Sequence, residues 1–83
     1  MKVLIADDEA IVLEGLKYII DWEDLGFSIC SQAQNGEEAL EKVLNLQPDL
    51  VLLDIRMPKL TGTEIIRIAR EKGFRGHFII LSG

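Results

Sequence analysis

The amino-acid sequence predicts an α/β domain, a doubly wound parallel sheet of strand order 2-1-3-4 with helices on both faces. Two observations carry that prediction. Four short apolar runs alternate with three longer stretches whose apolar residues recur at helical spacing, the pattern that builds parallel sheets covered by helices. Residues 3–6 and 50–53 are continuously apolar and lead directly into aspartates, as central strands do when their carboxyl ends reach solvent. Such a sheet is expected to be fully buried.

Taken in order, residues 3–6 (VLIA) form the first strand. Ile11, Val12, Leu16, Ile19 and Ile20 then make a broad apolar stripe, so a helix over about residues 9–20 follows. Residues 27–33 mix apolar and polar side chains around Cys30, which suits a strand near the sheet edge. Asn35 with Glu38 reads as a capping box, and Ala39, Leu40, Val43 and Leu44 line a helix that ends near Leu46, before Pro48. Residues 50–53 are the third strand. Thr61 with Glu64 is a second capping box, opening a helix through Ile65, Ile66, Ile68 and Ala69 toward Gly73. Residues 77–82 close the series with Phe78, Ile79, Ile80 and Leu81. Within the connection DWEDLG, Trp22 and Leu25 are expected to cap the bottom of the core.

Composition narrows the function. The chain has 83 residues, 48% hydrophobic and 28% charged, enough for one small folded domain spanning residues 1–83 and unlike a disordered chain. Fourteen acids against 9 bases give a net charge of −5, which argues against a direct grip on nucleic acid. Cys30 is the only cysteine, so a disulfide framework or multi-cysteine zinc site is excluded and a small core residue is expected. No apolar run approaches the ~18 residues of a membrane span, and the one before Asp7 is too short for a signal-peptide core. The expected location is the cytoplasm, with no membrane contact.

Three aspartates fall at strand ends. Asp7 and Asp8 follow the first strand and Asp54 ends the third; in the order 2-1-3-4 those strands are neighbours, about 4.8 Å apart. Ligands of open parallel sheets bind beyond these carboxyl ends. Crowded carboxylates call for a raised pKa or a bound cation, and an all-oxygen donor set selects Mg²⁺ or a similar ion. Beside such a cation, an exposed aspartate is competent to accept a phosphoryl group, with Ser82 on the adjoining strand as a hydroxyl donor. An aspartate ahead of a helix can also serve as an N-cap, the structural alternative for Asp8.

VLIADDE (residues 3–9), LVLLDIRMPKLTG (50–62) and IILSG (79–83) together resemble the receiver domains of two-component response regulators, over the whole chain. That resemblance implies a flavodoxin-like fold and a signalling switch in place of an enzyme. It implies Asp54 as phosphoacceptor for a sensor histidine kinase, Mg²⁺ held by Asp7, Asp8, Asp54 and the backbone carbonyl of Arg56, and Ser82 as the switch hydroxyl. Met57, Pro58 and Gly62 match the loop that shapes the site. The stretch IIDWEDLGF resembles a subgroup joined to AraC-type DNA-binding domains, implying an output domain and control of transcription.

The chain departs from the complete pattern, which has five strand–helix units. It stops after the fourth strand, and no lysine here matches the family's phosphoryl-contacting lysine; Lys59, in the loop after the third strand, reads as a solvated charge. An unpartnered fourth strand is expected to self-associate. His77, at the opposite end of that strand, reads as a solvated loop residue. Two other readings remain: a module that binds partners without phosphorylation, and an aspartate-nucleophile phosphohydrolase. The latter needs an acid two residues after the nucleophile, where Arg56 stands. Dinucleotide and P-loop binding lack their glycine-rich motifs.

Overall fold

The computed structural model of the protein describes residues 1–81. β1 (Lys2–Ala6), α1 (Ala10–Ile19), β2 (Ser28–Ala33), α2 (Gly36–Leu46), β3 (Leu50–Asp54), α3 (Gly62–Glu71) and β4 (His77–Leu81) follow one another in the expected order. The strands are all parallel and lie in the order β2-β1-β3-β4. This is the flavodoxin-like arrangement, in which β1 and β3 are the central pair.

Alternate side chains of the central strands feed two separate cores. Leu4, Ala6, Val51 and Leu53 face α2 and α3, packing with Ala39, Val43, Ile65, Ala69 and Phe74. Val3, Ile5 and Leu52 face the other way, against Leu13 of α1 and Trp22. Phe74 is 2% exposed, sits edge-to-face on Phe78 with ring centroids 5.3 Å apart, and carries Arg70 over its ring. Deleting its ring is expected to cost about 3–5 kcal/mol, a large share of the roughly 4–12 kcal/mol that holds a domain of this size. A Phe74→Ala protein will therefore show a markedly lower urea midpoint.

Several boundaries and faces differ from the sequence prediction. On α1 the buried residue is Leu13, 1% exposed, whereas Ile11 and Ile19 are 78% and 82% exposed; the apolar residues run so far around this short helix that periodicity alone picked the wrong centre. Trp22 does close the core, donating its indole N–H to the Leu16 carbonyl at 3.0 Å, but Leu25 points into solvent. The sheet is not buried throughout. Ile79 of β4 is 49% exposed, because β4 is an edge strand and α1 covers only the other half of that face. Cys30 is half-buried against the α2 side, displaced by a register shift between β1 and β2.

The capping predictions hold, one of them with altered wiring. Thr61 and Glu64 form the reciprocal box at α3. At α2 the Asn35 side chain accepts from the Glu38 amide at 2.8 Å, but the Glu38 carboxylate takes the amide of Gln34 in place of that of Asn35.

Candidate functional site at the carboxyl ends of β1 and β3

Every acidic residue singled out from the sequence lies beyond the same edge of the sheet. β1 ends at Ala6, which is in register with Leu53 of β3, so Asp7 and Asp54 come side by side one residue further on. The Asp7 amide continues the ladder by donating to the Ala33 carbonyl at 3.0 Å, which turns its side chain inward. Asp7 is 6% exposed and is the buried charged residue among the described ones. Its Oδ1 accepts the Glu9 amide at 2.9 Å. Carboxylate oxygens of Asp7, Asp8 and Glu9 lie within 4.8 Å of one another. Glu9, which the sequence reading passed over, is the third member of this group and the N-cap residue of α1, though its side chain makes no capping bond. Asp8 is exposed and does not fill the N-cap position weighed for it.

The electrostatics of Asp7 follow from that crowding. Burial pushes its pKa above the ordinary carboxylate value; the Glu9 amide pulls it down, and the charges of Asp54, Asp8 and Glu9 push it up again. The ion pairs among the described residues, Lys17–Glu14 and Arg67–Glu71, lie elsewhere. A buried carboxylate facing other acids without a cationic side chain is an arrangement a divalent cation relieves. All the donors are hard oxygens, which suits Mg²⁺ and disfavours zinc or copper.

Asp54 ends β3 half-buried, its Oδ1 accepting the Arg56 amide at 3.2 Å. The loop after it is held at Met57 and at Gly62. Met57 is 7% exposed and packs into the α2/α3 core, while Pro58 stays at the surface. Gly62 donates to the Ile55 carbonyl at 3.0 Å. A Cβ on Gly62 would sit 3.1 Å from the Asp54 carbonyl oxygen and from the Ile55 Cα, so a larger residue there would press the start of α3 a few tenths of an ångström away from the end of β3. Lys59 is exposed with φ of 78°, agreeing with its reading as a surface charge. β4 runs alongside, with Leu81 in register with Asp54; Ser82, next in the chain, lies outside the described residues.

His77 is exposed at the start of β4, its amide donating to the Asp49 carbonyl at 2.9 Å, at the far end of the sheet. A cleft of about 600 Å³ lined by Met1, Phe27, Pro48, Phe74 and His77 lies at that end too. It holds none of the site residues.

A model of the response regulator receiver domain matches residues 3–83. The chain belongs to that family. YesN of Bacillus subtilis (strain 168), an uncharacterized transcriptional regulatory protein, is 46% identical over 82 residues, covering 99% of this chain and 22% of YesN. A two-component transcriptional regulator AraC from Clostridium phytofermentans superposes with a TM-score of 0.90 at 32% identity, covering 100% of this chain and 64% of that one. The CheX–CheY–BeF₃–Mg²⁺ complex from Borrelia burgdorferi gives a TM-score of 0.86 at 34% identity over 99% of this chain and 61% of the other. This receiver thus spans about a fifth of its curated relative and under two thirds of the solved chains. Its likeness to transcriptional regulators, an AraC-type one among them, agrees with the subgroup suggested by IIDWEDLGF. No helix among the described residues is long and apolar enough to cross a membrane.

Proposed function

We propose that this receiver accepts a phosphoryl group on Asp54 from the phosphohistidine of a sensor histidine kinase, and so switches an output domain of the longer protein that controls transcription in the cytoplasm. The observation that carries the reading is the buried Asp7, grouped with Asp8 and Glu9, set beside Asp54 by the β1–β3 register, and in none of the ion pairs among the described residues. In the transfer, a carboxylate oxygen of Asp54 forms the new O–P bond as the P–N bond to the histidine breaks. The electron pair stays on the departing imidazole, and the product is an acyl phosphate. Asp7, Asp8, Asp54 and the Arg56 carbonyl would hold Mg²⁺, which supplies the positive charge that lets an anionic nucleophile meet an anionic donor. Asp7 is held by β1 and the Glu9 amide, so its carboxylate is aimed before anything binds. Met57, Pro58 and Gly62 shape the loop behind Asp54, and Ser82 donates its hydroxyl to the phosphoryl oxygens. A complex of the CheY relative contains both BeF₃ and Mg²⁺, and beryllium trifluoride has the shape and charge of a phosphoryl group. That supports transferring the same chemistry to the acids here.

The residue at position 56 weighs against a hydrolase, since an arginine cannot protonate a leaving group. A receiver that binds partners without phosphorylation is separated by experiment. Incubated with Mg²⁺ and acetyl phosphate, the protein should gain one phosphoryl adduct by intact mass, absent in EDTA and removed by hydroxylamine, which cleaves acyl phosphates. No adduct in Mg²⁺ would sink the phosphoacceptor reading and leave the interaction module.

On the 83-residue chain alone, β4 pairs with β3 on one side and with no strand among the described residues on the other. An apolar edge of this kind invites pairing with a second copy, so light scattering of this chain should give a mass above the monomer that rises with concentration. A monomer at all concentrations would contradict that.

A further inference from the structure

Gly36, at the start of α2, contributes no side chain and stands on a different loop from every acid of the site, yet it touches the loop that follows Asp54. Its amide donates to the Pro58 carbonyl at 3.0 Å. A Cβ placed on it would collide with the carbonyl oxygen, carbonyl carbon and Cβ of Leu60. Two of these are backbone atoms, which a rotamer change cannot move aside. Between Pro58 and Leu60 the chain passes through Lys59 in the left-handed region, φ 78°, a conformation that a lysine keeps only where its surroundings impose it. The contact is anchored on both sides. Gly36 is fixed by the Asn35 and Glu38 capping bonds and follows closely on Ala33, whose carbonyl accepts the Asp7 amide. Leu60 leads into the Thr61 cap of α3 and Gly62, the latter bonded back to Ile55.

We infer that Gly36 is a positioning residue for the phosphoacceptor site: the close approach it permits seats residues 55–61 on the start of α2 and so fixes where the Arg56 carbonyl lies relative to Asp7 and Asp54. The inference rests on the proposed Mg²⁺ site. A methyl group at position 36 displaces Leu60 and Pro58, and the loop carries that displacement toward Arg56 while the acids at the end of β1 stay in place. The backbone shift costs stability as well, and the defect that marks a positioning role is the one in metal affinity.

The test compares Gly36→Ala with Val43→Ala, a core truncation on the same helix that lies away from the site, by isothermal titration with Mg²⁺ and by thermal melting. Gly36→Ala should weaken Mg²⁺ binding by roughly 10–100-fold, the range for losing an outer-shell support of a metal ligand, while Val43→Ala lowers the melting temperature and keeps wild-type affinity. Equal affinity in Gly36→Ala and wild type, or an equal loss in both variants, would overturn the inference. The wild-type protein gives a second reading that does not depend on any variant folding. On Mg²⁺ titration followed by NMR, the Gly36 amide signal should move together with those of Arg56 and Met57; if those two shift and Gly36 does not, the inference fails. If wild-type protein binds no Mg²⁺ at all, it is the site reading that fails instead.

Discussion

An Asp54→Asn protein will take up no phosphoryl group above background from acetyl phosphate or from a kinase, while keeping its fold. The two halves of that expectation have separate causes. A carboxamide oxygen is too poor a nucleophile to form the O–P bond, and its product would lack the stability of an acyl phosphate under the same conditions. The fold, by contrast, asks little of this side chain. Asp54 is half-buried, and the side-chain bond it makes is acceptance of the Arg56 amide at 3.2 Å, which an asparagine oxygen can also accept. Intact mass reads the first half and circular dichroism the second. An adduct of undiminished yield would place the acceptor elsewhere.

Asp7→Asn has the second large effect, and it acts with opposite signs on stability and on metal binding. In the metal-free protein, a buried anion facing Asp8, Glu9 and Asp54 is replaced by a neutral group of the same shape. The variant should melt higher by a few degrees, given that 1 kcal/mol is worth about 4–8 °C in a domain of this size. With Mg²⁺ present the order reverses, because the wild type gains the binding energy and the variant, lacking a ligand, should lose more than ~100-fold in affinity, beyond the 10–100-fold typical of outer-shell losses.

The pH dependence follows the same logic. Asp7 has a folded-state pKa above the ordinary carboxylate value; the stability it contributes is complete below that ordinary value and is lost as pH rises through the raised one. Glu64, whose pKa is held low by the Thr61 amide and hydroxyl, works the other way, losing stability as pH falls. The difference in melting temperature between wild type and Asp7→Asn in EDTA isolates the Asp7 part. It should open as pH rises from about 4 and then level off. A wild type that gains on the variant over that range would show that Asp7 is better solvated than its burial implies.

Topology was legible because its signals are long-range in space but short in sequence. β1 and β3 announce themselves as apolar runs leading into aspartates, and the capping residues Asn35 and Thr61 sit ahead of helices with an apolar face. The acids of the site were legible for the same reason: strand ends fix where a side chain emerges, so Asp7, Asp8 and Asp54 could be brought together without coordinates. What stayed hidden depends on contacts between separate segments. Nothing in an apolar stripe that runs most of the way around α1 says that Leu13 is inside and Ile11 outside. Leu25 and Trp22 look equally fit to close the core, but only Trp22 has an N–H to satisfy the Leu16 carbonyl. Glu9 could have been found as the third acid in DDE. The role of Gly36 could not, because it exists only where the start of α2 meets Leu60.

The most direct measurement is the location of the phosphoryl group at single-residue level. After reaction with acetyl phosphate in Mg²⁺, borohydride reduces an acyl phosphate at its carbonyl and converts the modified aspartate to homoserine, which peptide sequencing by mass spectrometry can place. The account predicts homoserine at position 54 and nowhere else, dependent on Mg²⁺. Homoserine at position 7 or 8, or an adduct on a hydroxyl or histidine that borohydride leaves untouched, would contradict it.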